Sequence, residues 1–255
     1  MKFTIVTAVR NMADTIGDTL ESVAAQTHGD VEHIIVDGAS TDGTLDVVAR
    51  FPHVARVLSG KDDGLYDAMN KGARVATGDY VSWLNADDML AEPTALAAIA
   101  AAAASRPPIV AASVDMVDPV HTRKVKRHYG VGAFNPAWLR YGYALPHPGF
   151  HIRRDVLERI GGFDLQFPLA ADFDLIARAL HREKEAYVLL DQVVVRMRTG
   201  GNSHGLRSMI LMLDEVYRSC RNNGIPTNRI LMLYRYLHKA MQYVQKTSGG
   251  NRLAA

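Results

Sequence analysis

The feature that most constrains the fold of this chain is an alternation of two hydrophobic periods along its first half. Short apolar, β-branched runs occur at Phe3–Val9, Val31–Val36 and Tyr80–Leu84, each bounded by turn residues. Between these runs, apolar residues recur at helical spacing, as at Ile16 and Leu20. Strands that alternate with helices of about 10–15 residues predict βαβ units. The expected fold class is therefore α/β, with a mostly parallel central sheet flanked by helices.

The second half of the chain is less regular but fits the same class. The segments Ile109–Asp115 and Thr122–Arg127 predict two strands that pair as a hairpin. More helices and one more strand are expected further along the chain. We predict one α/β domain over residues 1–205, with halves at 1–105 and 106–205, followed by a helical extension over 206–255.

Charge is distributed unevenly along the chain. The formal net charge is +2, but residues 1–195 carry 19 Lys and Arg against 25 Asp and Glu, a net of −6, and residues 196–255 carry 10 against 2, a net of +8. An acidic body with 7% aromatic residues and no nucleic-acid motif argues against a nucleic-acid partner. The basic end predicts two helices, near 206–222 and 227–246. Packing or homodimer formation is favoured for them, and peripheral contact with an anionic membrane is the alternative.

The sequence has no pattern typical of export or of a membrane span. The N-terminal run has no charged leader and cleavage site, and no apolar window reaches about 18 residues. The single cysteine, Cys220, excludes a disulfide framework and fits a reducing compartment. We expect a cytoplasmic protein, with peripheral contact at the inner face of the membrane left open.

Carboxylates follow two of the predicted strands. Asp37 ends the second strand, and Asp87 and Asp88 come after the strand at 80–84. Ligands bind at the carboxyl ends of parallel strands, so these side chains are candidates for a shared site. Oxygen ligands without a His or Cys cluster favour a hard cation, Mg²⁺ or Mn²⁺, held together with substrate phosphates. The alternative for each carboxylate is a turn or a helix start.

Four segments in order carry a specific resemblance. They are Thr7-Ala8-Val9-Arg10-Asn11, Asp37-Gly38-Ala39-Ser40-Thr41-Asp42-Gly43-Thr44, Lys61-Asp62-Asp63-Gly64-Leu65-Tyr66-Asp67-Ala68-Met69-Asn70-Lys71-Gly72 and Asn85-Ala86-Asp87-Asp88. Together they resemble the family 2 glycosyltransferases of the GT-A fold, in particular the bacterial branch that builds exopolysaccharides and glycolipids. The resemblance is dense over about residues 1–90 and patchy to about 205. It implies a GT-A-type, Rossmann-like sheet with a helical C-terminal tail.

The resemblance assigns roles to the donor-binding residues. Thr7 and the neighbouring backbone match the segment that lines the nucleotide pocket, and Asp37 matches the carboxylate that reads the base, typically uracil. Asp62 matches an acidic position near the nucleoside. Asn85 stands where the family most often has the first acid of its Asp-x-Asp metal motif, and its amide is expected to bond a ribose hydroxyl. Asp87 is the expected ligand of a divalent metal, Mn²⁺ or Mg²⁺.

The resemblance also assigns acceptor-side residues. Asp172 matches the catalytic base, although many relatives carry a Glu immediately before it where this chain has an alanine, and helix capping is the alternative role. His147 is expected to contact the acceptor or the donor sugar, with a structural loop role equally open. His204 is a candidate for the metal shell or a residue of a loop that closes over the diphosphate. Asp174 and Arg178 are interpreted as a helix-surface ion pair.

These assignments predict an enzyme that transfers a sugar from a nucleotide-diphosphate donor, a UDP-sugar being expected, to a saccharide or lipid-linked acceptor. The transfer is expected to be metal-assisted and inverting, with Asp172 as general base. Two alternatives stay open at the level of sequence. One is a sugar-phosphate nucleotidyltransferase, and the other is a non-catalytic module that binds nucleotide sugars.

Overall fold

The computed structural model describes residues 1–200 and 206–232. Its strands are β1 (Phe3–Val9), β2 (Val31–Asp37), β3 (Val54–Ser59), β4 (Tyr80–Trp83), β5 (Met89–Leu90), β6 (Ile109–Val117), β7 (Val125–Tyr129), β8 (Phe150–Arg153) and β9 (Tyr187–Arg198). Its α-helices are α1 (Ile16–Ala24), α2 (Thr44–Val48), α3 (Leu65–Arg74), α4 (Ala95–Ala102), α5 (Arg154–Ile160), α6 (Ala171–Ala177) and α7 (Leu206–Asn222).

The strands form one mixed sheet in the order β3-β2-β1-β4-β8-β6-β9-β5, with β7 paired to β6. The first four strands of this order are all parallel. Strand β8 runs antiparallel to both β4 and β6 and so joins the two halves of the sheet. Strand β6 pairs in parallel with β9 along its whole length and forms the predicted hairpin with β7. The long ladders are therefore parallel, and the antiparallel pairs are short.

Helices cover both faces of the sheet. Strand β1 is buried throughout because alternate side chains point to opposite faces and both faces are covered. On one face, Val6 packs with Met69 of α3 and Leu175 of α6. On the other face, Phe3 packs with Leu96 of α4. Helices α1 and α2 complete that second face around Ile16, Leu20 and Val48.

Helix α3 lies unusually close to the sheet. A Cβ on Gly72 would lie 2.3 Å from Cγ1 of Val6, so only glycine permits this approach. The opposite edge of the helix carries a buried Asp67, whose carboxylate pairs with Lys71 at 2.7 Å. The close contact holds the C-terminal end of α3 against β1 and β2.

Helix α7 packs on the same core as the sheet. Its buried residues Val216 and Cys220 lie in one cluster with Leu175 and Ile176 of α6. Among the described residues, the segment after 205 therefore has no core separate from that of the preceding domain. The second helical stretch expected near 227–246 lies for the most part outside the described residues.

The α/β prediction is confirmed, and three of the nine described strands, β3, β5 and β8, were not predicted. Strand β3 is an edge strand with exposed residues such as Arg56 and Val57, so it has neither an apolar run nor a clear alternation. Strand β5 has only 2 residues. In the part of the chain that the structure describes, no helix has the length and apolar character needed to cross a bilayer.

Candidate active site

The loops after β2 and β3 meet around Asp37. This residue is 1% exposed, and its carboxylate accepts hydrogen bonds from Ser59 Oγ at 2.7 Å and from the Ser40 backbone N–H at 3.2 Å. A carboxylate offers about four acceptor sites, so the Asp37 side chain keeps capacity for another donor. The predicted base reader therefore lies at the carboxyl end of β2, held rigidly by its neighbours.

Asp62 packs against Gly38, the residue that follows Asp37, and the absence of a side chain on Gly38 leaves room for this approach. A Cβ on Gly38 would lie 2.5 Å from Asp62 Oδ2 and 3.4 Å from Arg10 Cβ. The other oxygen of Asp62 accepts the Gly64 backbone N–H at 3.1 Å, which orders the turn before α3. The segments after β1, β2 and β3 thus converge at one corner of the sheet, as the resemblance implied.

Thr7 occupies a different position from the other predicted donor-binding residues. It is fully buried within β1, and its hydroxyl is 3.0 Å from His33 Nε2. Burial in turn lowers the pKa of His33 to about 3, with the neighbouring His53 adding to the shift. The Thr7 side chain is therefore committed to the core, and a donor contact from this segment falls to residues after the strand, such as Arg10.

The segment after β4 carries a buried carboxyl group. Asp88 is 1% exposed, and burial, reinforced by the charge of Asp87, raises its pKa to about 8. Its oxygens accept Asn85 Nδ2 at 3.0 Å and the backbone N–H of Arg198 at 3.1 Å. Asp88 thus orients the turn from inside. Its bond to the Asn85 amide leaves Asn85 Oδ1 buried and without a hydrogen-bond partner among the described residues.

Asp87 is half-buried and comes two residues after Asn85 in the same turn. Burial raises the pKa of the Asp87 carboxyl, which means that its anionic form lacks full solvation. A cation in this turn would stabilise the poorly solvated Asp87 carboxylate and would give Asn85 Oδ1 a partner. Carboxylate and amide oxygens suit Mg²⁺ or Mn²⁺. The described residues contain no group of three or more His, Cys, Asp or Glu placed to hold a metal. The fit is therefore to a cation that takes its remaining ligands from substrate phosphate or water.

Arg198, at the end of β9, ties this turn to its surroundings. Its guanidinium donates to the carbonyl oxygens of Asp87 at 2.8 Å and Pro119 at 3.1 Å, and it pairs with Asp18 of α1. The Arg198 side chain is only 9% exposed. The turn that carries Asp87 is therefore braced by β9, α1 and the loop between β6 and β7. Sequence reasoning missed this arginine, because its partners are remote along the chain.

Asp172 faces a cavity of about 230 Å³. The cavity is lined by loop, β6, β9, α6 and α7 residues that include Val114, His147, Asp172, Phe173, Met197 and Met212. Asp172 is in the first turn of α6, and its Oδ1 accepts the Tyr66 hydroxyl at 3.2 Å. The N-terminal flanking residue of the helix is Ala170, so Asp172 does not occupy the capping position.

His147 and Tyr66 contact Asp172 from two sides. His147 Nδ1 lies 3.8 Å from Asp172 Oδ2, and its Nε2 is buried without a hydrogen-bond partner among the described residues. Burial lowers the pKa of His147, and the Asp172 charge opposes that shift. Burial and the same charge raise the pKa of Tyr66, which keeps its hydroxyl a donor. The predicted base and the predicted acceptor-side histidine therefore share one pocket.

Glu215 of α7 holds the turn from which Asp172 projects. It is 4% exposed, and its Oε2 accepts the backbone N–H groups of Leu169 at 2.8 Å and Ala170 at 2.9 Å. The flanking residue Ala170 makes no side-chain capping bond at this helix start, where Asp172 Oδ1 accepts the Phe173 backbone N–H at 2.8 Å. Sequence reasoning missed Glu215. The available signal was a polar stripe of Glu215, Ser219 and Asn223 at intervals of four along a helix whose neighbouring positions are apolar.

The prediction of a surface pair for Asp174 and Arg178 is wrong, because α7 covers them. The two side chains pair at 2.7 Å and are 4% and 12% exposed. Asp174 also accepts Ser219 Oγ at 2.7 Å and Asn223 Nδ2 at 3.0 Å. Arg178 donates to backbone carbonyls in the loop at 160–162. The pair is a buried clamp between α6, α7 and that loop.

Solved structures that share this fold are glycosyltransferases. The chain superposes on S. aureus TarS 1–349 in complex with UDP with a TM-score of 0.66 at 19% identity, covering 87% of this chain and 66% of that one. It superposes on the mannosyltransferase PcManGT from Pyrobaculum calidifontis, in complex with GDP-Man and Mn²⁺, with a TM-score of 0.63 at 22% identity, covering 98% and 73%. These likenesses confirm the predicted GT-A type of fold.

Sequence comparison identifies the family. The model for Glycosyl transferase family 2 matches residues 4–161. A PGL/p-HBAD biosynthesis glycosyltransferase of Mycobacterium bovis is 35% identical over 180 residues, which cover 69% of this chain and 68% of that protein. An uncharacterized glycosyltransferase of Mycobacterium tuberculosis is 31% identical over 183 residues, which cover 69% and 67%. The chain belongs to the family 2 glycosyltransferases.

The predicted class of enzyme, a glycosyltransferase, is thereby confirmed, and the nucleotidyltransferase and the non-catalytic module are set aside. The matched region ends before Asp172, so the role of that residue rests on its own geometry. His204 lies outside the described residues.

Proposed function

We propose that this enzyme transfers a sugar from a nucleoside diphosphate donor, with a UDP-sugar as the expected one, to a hydroxyl group of a saccharide or lipid-linked acceptor. The observation that supports this most is the bond from Tyr66 to Asp172. Tyr66 comes four residues after Asp62, so this contact supports a candidate base that lies close to the candidate nucleotide corner. Met197 lines the cavity and Arg198 donates to the Asp87 carbonyl, so the end of β9 contributes both to the cavity wall and to the turn after β4.

The donor half of the proposal assigns binding to the carboxyl edge of β2, β3 and β4. Asp37 accepts a ring N–H of the base, and Asp62 lies beside the nucleoside. Asn85 Oδ1, which has no partner among the described residues, accepts a ribose hydroxyl or joins Asp87 at a divalent metal. The metal, when bound, supplies electrostatic stabilisation of the leaving diphosphate.

The acceptor half assigns the chemistry to Asp172. The acceptor hydroxyl enters the cavity, where His147 Nε2 helps to orient it and Asp172 takes its proton. The acceptor oxygen forms a bond to the anomeric carbon as the bond from that carbon to the diphosphate breaks, with inversion of configuration. Tyr66 donates to Asp172 Oδ1 and leaves Oδ2 for the proton. Glu215 keeps the turn before α6 in place.

Replacing the proposed base tests the assignment. We expect Asp172→Asn to lower kcat for sugar transfer by about 10²–10⁴-fold, because the amide cannot take the proton. Nucleotide affinity, measured by calorimetry, stays within about twofold, since Asp172 lies outside the nucleotide corner. The matched control is Asp155→Asn on the exposed surface of α5, where the side chain is 64% exposed. Unchanged turnover in Asp172→Asn contradicts the assignment.

Chelation tests the metal assignment separately. We expect Mn²⁺ to tighten nucleotide-sugar binding, EDTA to abolish that gain, and Asp87→Asn to reduce it by roughly tenfold, as a charge-assisted ligand is lost. The exposed Asp46→Asn, at the start of α2, is the matched control. Binding and transfer that are indifferent to EDTA remove Asp87 from the ligand role.

A further inference from the structure

The hairpin of β6 and β7 ends in an exposed basic tip that the proposed function does not use. Four of the five residues from 123 to 127 are Lys or Arg, and they follow His121. Within the described part of the chain, Lys126 pairs with Asp118 at 3.1 Å, whereas the exposed side chains of Arg123 and Lys124 have no carboxylate partner. The tip therefore presents two uncompensated cations to its surroundings.

Exposed apolar side chains flank these two cations. Val120 is 78% exposed and Val125 is 49% exposed, on either side of the turn. An apolar side chain exposed to water contributes no burial free energy until a partner covers it. Cations mixed with exposed aliphatic side chains are the composition of surfaces that insert shallowly into anionic lipid, where charge meets the headgroups and the aliphatic groups enter the acyl boundary.

The turn is ordered by its own hydrogen bonds. Asp118 Oδ1 accepts the backbone N–H groups of Val120 at 3.1 Å and His121 at 3.0 Å. The Asp118 backbone N–H donates to the Lys124 carbonyl at 3.0 Å, which closes the loop. The backbone that carries the valines and cations of the tip is thus ordered, so little backbone entropy is lost when the tip binds.

The tip also has a fixed position relative to the candidate active site. Arg198 joins the Pro119 carbonyl at the base of the tip to the Asp87 carbonyl. The same strands supply Val114 and Tyr129 to the cavity wall around Asp172. The tip and part of the cavity wall therefore belong to the same pair of strands.

We propose that the tip at residues 118–125 is a docking surface for an anionic membrane. Arg123 and Lys124 contact lipid phosphates, and Val120 and Val125 enter the interface. A soluble polyanion would recognise the cations alone, so the exposed valines favour a lipid surface. The proposal does not depend on sugar transfer, because membrane binding is measured without donor or acceptor.

Vesicle sedimentation with the full chain tests the proposal. The probes are vesicles of phosphatidylcholine alone and of phosphatidylcholine with phosphatidylglycerol, at low and high salt. We expect the protein to bind the anionic vesicles, and Arg123→Glu/Lys124→Glu to weaken binding by about 25-fold or more, at roughly fivefold per basic residue. Val120→Ser weakens binding at both salt concentrations, because its contribution is not electrostatic. Circular dichroism confirms that the variants are folded.

The matched control is Arg50→Glu/Arg56→Glu, which makes the same change in net charge at exposed positions near β3, at the far end of the sheet order. We expect this control to bind anionic vesicles within about twofold of the wild type, apart from the weak long-range effect of net charge. Equal binding by the hairpin variant and the control overturns the proposal, as does wild-type protein that ignores anionic vesicles. If the protein binds polyphosphate as tightly as anionic vesicles, and Val120→Ser does not weaken binding, the partner of the tip is a soluble polyanion and not a membrane.

Discussion

At the scale of single residues, some of the buried polar atoms without partners lie in the candidate site and others in the scaffold. Among the described residues, Asn85 Oδ1 and His147 Nε2 are such atoms, and both lie at positions proposed to meet a ligand. His151 has both ring nitrogens buried and unpartnered, but it lies within β8, where its ring meets that of Phe3 of β1 edge-on at 6.3 Å. No proposed ligand reaches it, so its desolvation is a cost to folding.

We predict that His151→Leu stabilises the protein. Removing two unpaired nitrogens gains about 1–3 kcal/mol, which corresponds to roughly 2–4 °C in Tm for each kcal/mol in a chain of this size. Burial lowers the pKa of His151 to about 4, so the wild type loses stability as pH falls from about 6.5 towards 4. The gain from His151→Leu is therefore larger at pH 5 than at pH 8. Thermal unfolding at both pH values measures it.

The exposed His121→Leu is the matched control and leaves Tm nearly unchanged at both pH values. A lower Tm for His151→Leu at every pH contradicts the prediction, because it shows that the imidazole contributes more to packing than it costs in desolvation.

At the scale of elements, α7 holds α6 through two buried carboxylates that point in opposite directions. Glu215 reaches from α7 to the turn before α6, and Asp174 reaches from α6 to Ser219 and Asn223 of α7. The sequence predicted helices at both α6 and α7, and the family resemblance assigned Asp172 its candidate role. It could not show that α7 covers α6, because an i,i+4 pair such as Asp174–Arg178 has the same spacing on an exposed face and on a buried one.

The carboxyl edge was the most predictable part of the site. Asp37 and Asp87 follow strands whose apolar runs are readable, and parallel strands bring such ends together. Asp62 follows β3, which has no such run, and only the family resemblance pointed to it. Contacts between remote segments were not predictable in this way. Glu215 meets a turn 45 residues away in sequence, and no local pattern records that separation.

We predict that Glu215→Gln lowers kcat more than it lowers stability or donor affinity. The amide still offers an oxygen, but it loses the charge that strengthens both bonds to the backbone before α6, so Asp172 is less well positioned. We expect a fall in kcat of roughly tenfold, with nucleotide affinity within about twofold. The control is Asp214→Asn, an adjacent residue whose side chain is 41% exposed. Equal loss of kcat in the two variants, or loss of nucleotide affinity with kcat, assigns Glu215 a general structural role.

At the scale of the whole molecule, the two halves of the sheet and α7 form one folding unit. The core that contains Val6 and Val36 of the first half also contains Val216, Cys220 and Ile225. A division of the chain at residue 205 cuts through this core. Removal of the segment after 205 exposes its partners on α6 and leaves Asp174 and Arg178 without two of their supporting side chains.

We predict that a chain ending at residue 205 does not unfold cooperatively, whereas one ending at 232 does. Each buried apolar side chain of α7 contributes roughly 1.5–3 kcal/mol, and a typical protein has only about 5–15 kcal/mol in total. Thermal unfolding by circular dichroism, with nucleotide binding as the second measurement, distinguishes the two chains. A cooperative transition at the full-length Tm for the shorter chain contradicts the prediction.

Arg198 connects the turn that carries Asp87 to the hairpin tip, and this connection has a thermodynamic consequence. One side chain contacts both the turn that carries Asp87 and the base of the hairpin tip. If ligand binding at one of these sites changes the contacts of Arg198, it changes the affinity at the other site, and such linkage is reciprocal. Whatever factor a lipid surface applies to the nucleotide dissociation constant, the nucleotide must apply the same factor to the lipid partition coefficient. The nucleotide would therefore be titrated with and without vesicles, and vesicles with and without nucleotide. The two ratios of binding constants must be equal.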